Sequence, residues 1–485
     1  MDYRKEKGIN MMQFNRRDFI RGSALAAASL VAGGCETTGA AGRYPAVTRT
    51  VAPRFRKPGE KLNIGVVGVG GKGWSDWMPM FKNGENIVAL CDVDRNPINK
   101  ALAELEKAGV KPSQVKCYSD FRKMLDECKN LDAVTVSTPD HMHAPAAIRA
   151  MKQGCHVFVQ KPLVRTIWEA RYFEKVAKSC GVVTQMGNQG SANNGLRRNA
   201  ELLQAGVLGD VTEVHVWTNR PIWPQGIGRP EGSDPIPETL DWDSYLGTAP
   251  VRPFKAGVYH TFKWRGFFDF GTGAFGDMAC HTMNLPFRGL RLGAVESAEC
   301  IQIEGKNNET YPNKSIVRLT YAARGRLPRV TLYWYDGNLK PSAEIMPKVV
   351  ATLGQVPNTG CLIMGSKGMV CSTNDYGADG YIAFNDEEKM KSMSKHEALT
   401  EEAIPAKFRR NTNGQYIEFV EACKGNDVCF SDVDHSVPML ESMLVGCVAQ
   451  QVPGKLKWDS RKQEFANNAA ANALVKPHIR PGWEF

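Results

Sequence analysis

Between residues 61 and 190 the apolar positions fall in short unbroken runs separated by stretches of helical period. Leu62–Val67, Ile87–Cys91, Val115–Tyr118, Ala133–Ser137, His156–Val159 and Val182–Gln185 are the runs. A strand buried on both faces reads this way, because it has no solvent side to carry alternating polar residues. Pro97–Ala108, Ala144–Gln153 and Ile167–Ser179 repeat their apolar residues at helical spacing. This alternation predicts a doubly wound, mainly parallel sheet. Beyond residue 190 the pattern changes. A helix over Asn193–Gln204 leads to an alternating strand over Val211–Thr218, and longer strands follow at Glu296–Glu304, Ser315–Ala322 and Arg329–Tyr335. Few helices separate them, which predicts an open, mainly antiparallel sheet with one face covered. Two late helices, Gly414–Cys423 and Ser436–Gln451, are expected to pack back on the first domain. The expected class is α/β, with a parallel-sheet domain over 61–190 and an α+β domain over 191–485. There is no internal repeat and no apolar run long enough to span a bilayer.

The residues ahead of 61 read differently. Asn15-Arg16-Arg17-Asp18-Phe19-Ile20-Arg21 resembles a twin-arginine export signal, with Met11 and Met12 as alternative starts. The apolar stretch Ala24–Ala32 is too short to cross a membrane and matches the hydrophobic region of a signal peptide. Ala32-Gly33-Gly34-Cys35 resembles a lipoprotein cleavage site imperfectly, so a lipid anchor at Cys35 competes with an ordinary signal-peptidase cut. Residues 1–35 are therefore expected to be a signal peptide. Residues 36–60, rich in Gly, Ala, Thr, Pro and Arg without periodicity, are expected to be a linker. Such a chain is exported to the periplasm or anchored outside the cytoplasm, with the twin-arginine machinery as a partner.

Composition narrows the picture further. With 485 residues, 42% apolar and 23% charged, the chain is an ordinary globular protein of two or three domains. Residues 1–34 hold six basic and three acidic residues, so the net charge of +10 falls to +7 without them. That is mild for this length and gives no case for nucleic acid. The thirteen cysteines show no CxxC pair and no Cys/His cluster at metal spacing, so no metal is expected. Most read as small core residues, although an oxidising compartment also permits disulfides.

The first apolar run ends in Gly68-Val69-Gly70-Gly71-Lys72-Gly73. In that frame Gly68 allows a tight turn, Gly70 lets the backbone approach a pyrophosphate, and Gly73 lets the next helix pack close. The helix N-terminus then offers N–H groups and a positive dipole end to phosphate. The second run ends in Asp92, nineteen residues past Gly73, the spacing of a carboxylate that binds the adenosine ribose. A carboxylate there repels a 2′-phosphate, so NAD is expected rather than NADP, with Arg95 nearby weighing the other way.

Two further runs end in chemistry. Ala133–Ser137 runs into Thr138-Pro139-Asp140-His141-Met142-His143, and His156–Val159 into Gln160-Lys161-Pro162. Ligands bind outside the carboxyl ends of such strands. Alone, Lys161 also fits a solvated loop lysine and His143 a helix-start cap. Later, Asp277 and His281 stand at i and i+4, on one helical face. A carboxylate there can orient the imidazole and raise its pKa, although an isolated pair of this kind is also common as structure. Tyr259, His260, Trp264 and Arg265 form an aromatic, basic stretch that could line a sugar pocket or pack a core. Asn188 and Gln189 are candidate polar contacts at the domain boundary.

Taken together these residues resemble the Gfo/Idh/MocA family, the glucose–fructose and inositol dehydrogenase-like oxidoreductases, over roughly residues 61–485. The resemblance implies a Rossmann domain with an open-sheet substrate domain. It implies cofactor contacts at Gly68, Gly70, Gly71, Lys72, Gly73, Asp92, Thr138, Pro139, His143, Gln160 and Lys161. It implies that Lys161, Asp277 and His281 are catalytic. His281 would take the proton of a sugar hydroxyl, Lys161 would polarise the same oxygen, and Asp277 would hold the polyol and tune His281. The chain departs from the family's Glu-Lys-Pro at Gln160, which removes a charge beside the nicotinamide. A homo-oligomer is implied too. Three functions compete: a sugar or polyol dehydrogenase, a redox-neutral NAD-dependent glycosidase working through a transient keto-sugar, and a non-catalytic sugar-binding protein. Export favours a cofactor that stays bound through turnover.

Overall fold

β1 (Asn63–Val67) runs through the middle of the first sheet with Ile64 and Val66 wholly buried. Beside it lie β2 (Asn86–Cys91), β3 (Lys116–Tyr118), β4 (Ala133–Val136), β5 (His156–Val159) and β6 (Thr184–Met186). All six are parallel, in the order β3-β2-β1-β4-β5-β6. The order reverses between β1 and β4, and a crevice opens there at the carboxyl ends of the strands. The computed structural model describes residues 44–485. The expected export signal and Cys35 lie outside the described residues.

The second sheet has ten strands. Its strands are β7 (Val211–Trp217), β8 (Val295–Glu304), β9 (Lys314–Tyr321), β10 (Val330–Tyr335), β11 (Gly360–Gly365), β12 (Gly368–Ser372), β13 (Gly380–Phe384), β14 (Lys391–Ser392), β15 (Leu456–Asp459) and β16 (Glu464–Phe465). They run in the order β14-β13-β12-β11-β7-β10-β9-β8-β15-β16. Every pairing is antiparallel except β7 with β10, so the class is α/β with a parallel sheet followed by a mixed, mostly antiparallel one. In β9 burial alternates strictly, and its buried residues Val317, Leu319 and Tyr321 share one face. On β10, Trp334 stacks on Phe275 of the helix Gly273–Thr282, ring centroids 4.6 Å apart. The strands β11 to β14 lie where the pattern predicts none. They are short: β11, β12 and β13 each open on a glycine, and β14 is only two residues long.

The sheets share one compact unit, Ala46–Phe485. Phe419, Val420 and Cys423 of the helix Gly414–Cys423 belong to the same core as Leu62, Ile64 and Trp77. Val433, opening the helix Val433–Gln451, donates its N–H to Thr184 Oγ1 on β6 at 3.0 Å. Residues 46–60 carry no helix or strand, yet they are docked rather than loose. Arg56 pairs with the buried Asp132 at 2.9 Å, and Thr50 N–H reaches Lys152 O at 2.8 Å. Among the described residues twelve cysteines are free thiols, mostly buried, and no helix is long and apolar enough to cross a membrane.

Candidate active site

The crevice has a volume of about 520 Å³ and begins at the glycine loop. Gly68 has φ +84°, and a Cβ on it would stand 2.6 Å from Ser137 O. A Cβ on Gly73 would stand 1.9 Å from Gly68 O, so the loop and the helix Lys72–Lys82 can approach only as glycines. Gly71, at φ +52°, faces open space, and no side chain caps the helix it precedes. That is a phosphate cradle, and the residues present fit a dinucleotide. Asp92 lines the crevice, but its carboxylate also braces the loop. Oδ2 accepts from Val69 N–H at 2.8 Å and Gly70 N–H at 3.3 Å, and Oδ1 from Asp94 N–H at 3.1 Å. Burial pushes this carboxyl up, and the three N–H groups pull against it.

At the other end three candidates converge. Lys161 Nζ lies 3.0 Å from Asp277 Oδ1 and donates to Asp277 O at 3.1 Å. Arg265 Nε reaches the same Oδ1 at 3.2 Å. Burial acts to raise the Asp277 carboxyl, but Lys161 and Arg265 outweigh it and hold it below the usual range. His281 follows one turn later on the same helix, and its buried Nδ1 has no hydrogen-bond partner among the described residues. Its pKa is pushed down to about 3, first by burial and then by Lys161. Asp277 acts to raise it, as its place one turn away leads one to expect, but burial and Lys161 outweigh that effect. The imidazole is neutral, with its lone pair available.

Thr138, Pro139, Gln160, Lys72, Gln189, Trp264 and Arg265 also line the crevice. Three expectations are corrected. His143 is buried away from it, its ring nitrogens 2.8 Å from Thr138 O and 2.9 Å from Pro162 O, and it ties two crevice loops together. Tyr259 is 2% exposed and packs its ring against Phe267 and Phe270, so it is core. Asn188 lies behind the site, donating to Cys280 O at 3.3 Å. His260 lines the crevice, as the aromatic, basic stretch allowed, with Nε2 4.0 Å from Asp94.

Sequence reasoning passed over three groups. Asp140 is 1% exposed and accepts from Thr272 Oγ1 at 2.9 Å, and its Oδ1 has no partner among the described residues. Burial, then Asp277, pushes it up to about 7. Tyr376, between β12 and β13, stands edge-on to His281 with ring centroids 5.4 Å apart. Asp76 is wholly buried beneath the loop and binds Lys72, Ser137, Gln160 and Tyr416. The one local signal for it was the i,i+4 spacing from Lys72.

A six-stranded parallel sheet with this cradle and this strand order defines an NAD-binding Rossmann fold. Residues 62–188 match the oxidoreductase family, NAD-binding Rossmann fold model of GFO/IDH/MocA, and residues 202–321 match its C-terminal alpha/beta domain. The chain carries both domains of the GFO/IDH/MocA oxidoreductase family. Similar proteins include a "Glycosyl hydrolase family 109 protein" of Solibacter usitatus, 34% identical over 170 residues, 33% of this chain and 36% of that protein. Another of that name, from Shewanella pealeana, is 30% identical over 182 residues, 35% and 39%. The chain thus spans well under half the length of these curated relatives. Among solved structures, an inositol dehydrogenase homolog from Azotobacter vinelandii, complexed with NADH and myo-inositol, superposes with TM-score 0.56. The match is 17% identical and covers 84% of this chain and 99% of that one. The WlbA dehydrogenase from Bordetella pertussis, in complex with NADH and UDP-GlcNAcA, gives 0.55 at 17% identity, covering 82% and 99%. At such identity these structures speak for the fold alone.

Proposed function

We propose that this protein is an NAD-dependent enzyme acting on a sugar or polyol hydroxyl, exported folded, with a cofactor retained through redox-neutral turnover. The observation that carries the chemistry is the cluster at the crevice mouth: Lys161 held 3.0 Å from Asp277, with neutral His281 on the same helix. The nicotinamide, when bound, supplies a hydride acceptor. Gly68 to Gly73 and Asp92 would hold the dinucleotide, and the acid at Asp92 favours NAD over NADP. The chain's own groups move the proton. Lys161 donates to the reacting hydroxyl oxygen and lowers its proton affinity, and His281 accepts its proton. Asp277 balances Lys161 and Arg265 and keeps both in place. Trp264 and Tyr376 supply ring surface of the kind a sugar face packs against.

The twin-arginine resemblance supports export of a folded protein, to the periplasm or to a lipid anchor at Cys35. A nicotinamide cofactor is made inside the cell, so a dehydrogenase releasing NADH outside would stop after one turnover. Two classes avoid this: oxidation of one sugar coupled to reduction of another, and glycoside cleavage through a transient ketone. The family 109 relatives favour the second as the alternative reading. In that class, a ketone at C3 acidifies the neighbouring C–H for elimination of the aglycone. Assembly as a homo-oligomer fits Ile301 and Ile303, which stand exposed on the outer part of β8. The test is the protein as purified, with no nucleotide added. It should carry close to one NAD(H) per chain and turn over a sugar or glycoside without added cofactor. An apo protein that works only with external NAD⁺ would refute the retained-cofactor reading and leave a plain dehydrogenase.

A further inference from the structure

The crevice has an end that neither the glycine loop nor the lysine–histidine cluster explains. Past Asp92 it continues over the carboxyl end of β3, where Ser119, Asp120 and Phe121 line it together with Trp483. In this strand order the adenosine half of a dinucleotide lies on the β1–β3 side, where the acid ending β2 meets its ribose. We propose that residues 480–483 wall off this end and hold the adenine of the cofactor, with Trp483 as the wall and Arg122 and Arg480 as its ties. The proposal rests on the reading that the crevice takes NAD.

The wall is fastened on both sides. The Arg122 guanidinium lies over the Trp483 ring, 3.7 Å from its centroid, and Nη1 donates to Gly482 O at 2.7 Å. The same guanidinium is held by Asp120 at 2.8 Å, so the β3 side of the crevice grips the segment directly. On the other side Arg480 donates from Nε to Gly247 O at 2.8 Å and from its backbone N–H to Thr248 O at 3.0 Å. Its ion pair with Asp243 is solvent-exposed on the acid's side, and the carbonyl bonds make the firmer tie. Gly247 and Thr248 follow the helix Trp242–Leu246, which places Ser244 and Tyr245 on the facing wall of the crevice. One short segment therefore bridges the two walls across the adenosine end. Trp483 is only 5% exposed, so a nucleotide leaving by this end must displace it.

The test uses the full chain and three probes: NADH, 5′-AMP and nicotinamide mononucleotide. Trp483→Ala should release NADH roughly tenfold faster, the size expected for losing a packed aromatic wall. It should also purify with less nucleotide and bind 5′-AMP more weakly, with mononucleotide binding unchanged. Arg480→Ala, which removes a tie without opening a core, should shift release the same way, and Trp483→Phe should retain the cofactor. Melting in the absence of nucleotide identifies any variant that fails to fold, and Arg480→Ala then decides. Unchanged NADH release and AMP affinity overturns the wall, as does an equal loss of AMP and mononucleotide. A parent protein that binds neither NADH nor AMP overturns the crevice assignment and the wall with it. A parent that binds both while the variants are indifferent overturns the wall alone.

Discussion

Replacing Gln160 with Glu is a sharp test of how the site is charged. Gln160 Nε2 donates to Asp76 Oδ1 at 3.1 Å, and its Oε1 accepts from Lys161 N–H at 3.1 Å. Asp76 is wholly buried, and its oxygens already take Lys72 Nζ at 2.8 Å, Tyr416 OH at 3.1 Å and Ser137 Oγ at 2.7 Å. The amide at 160 is thus a donor to a fixed carboxylate, and a second carboxylate would meet it at contact distance. At ~3 Å and an effective dielectric of ~20 the repulsion is about 5 kcal/mol. That is equivalent to a shift of roughly four decades in proton affinity. The pair in Gln160→Glu should therefore keep one proton at neutral pH in the folded state, whereas the unfolded chain has lost both. A proton held only by the folded state means that stability is greatest at low pH. It falls as pH rises above the ordinary carboxylate range, by ~1.4 kcal/mol per pH unit. Urea unfolding of variant and parent at pH 5, 6.5 and 8 measures this. The difference between them should widen by about 4 kcal/mol across that span. Asp76→Asn in the Gln160→Glu background restores one carboxylate and should flatten the profile. A pH-independent difference refutes the contact.

Asp140 should show the same sign in the parent protein. Its carboxyl rises from an ordinary 3.8 to about 7, so its contribution is fully present below 3.8 and is lost as pH rises through 7. Asp140→Asn keeps an acceptor for Thr272 and should gain on the order of 4 kcal/mol relative to the parent by pH 8. Equal melting shifts at pH 4.5 and 8 would contradict this. His281→Ala, on a substrate the enzyme turns over, should lower kcat by about 10²–10⁴ with bound NAD(H) unchanged. Unimpaired turnover removes His281 from the chemistry.

What was legible in the chain depended on range. β1, its glycine loop, β2 and Asp92 lie within thirty residues, and each apolar run and turn carries its own signal. The same holds for Asp277 and His281, whose shared face follows from helical spacing alone. The small shape requirements at Gly68 and Gly73 could be read too, because only a missing side chain satisfies them. Environment was harder to read. Proximity in sequence suggested that Asp277 tunes His281, but the fold commits that carboxylate to Lys161 and Arg265, and burial then dominates the imidazole. Likewise an aromatic, basic stretch cannot say which of its rings faces solvent. Tyr259 turned into a core and Trp264 reached the crevice, although they stand five residues apart.

The departure at Gln160 shows why single positions mislead. Read along the chain, an amide beside Lys161 is a lost charge. In three dimensions the charge is present, on Asp76, and the amide is the partner it requires. The pieces that make this so come from four places: Lys72 and Asp76 on the first helix, Ser137 after β4, Gln160 after β5, and Tyr416 on a helix far along the chain. No local pattern links Tyr416 to Asp76, because their contact exists only once the helix Gly414–Cys423 has packed into the first core. A buried carboxylate with four donors does not tolerate the exchange of one of them for a second anion. The residue at 160 therefore answers to a buried carboxylate that it shares with a helix more than 250 positions away, and the charge of the site belongs to the whole network rather than to one motif.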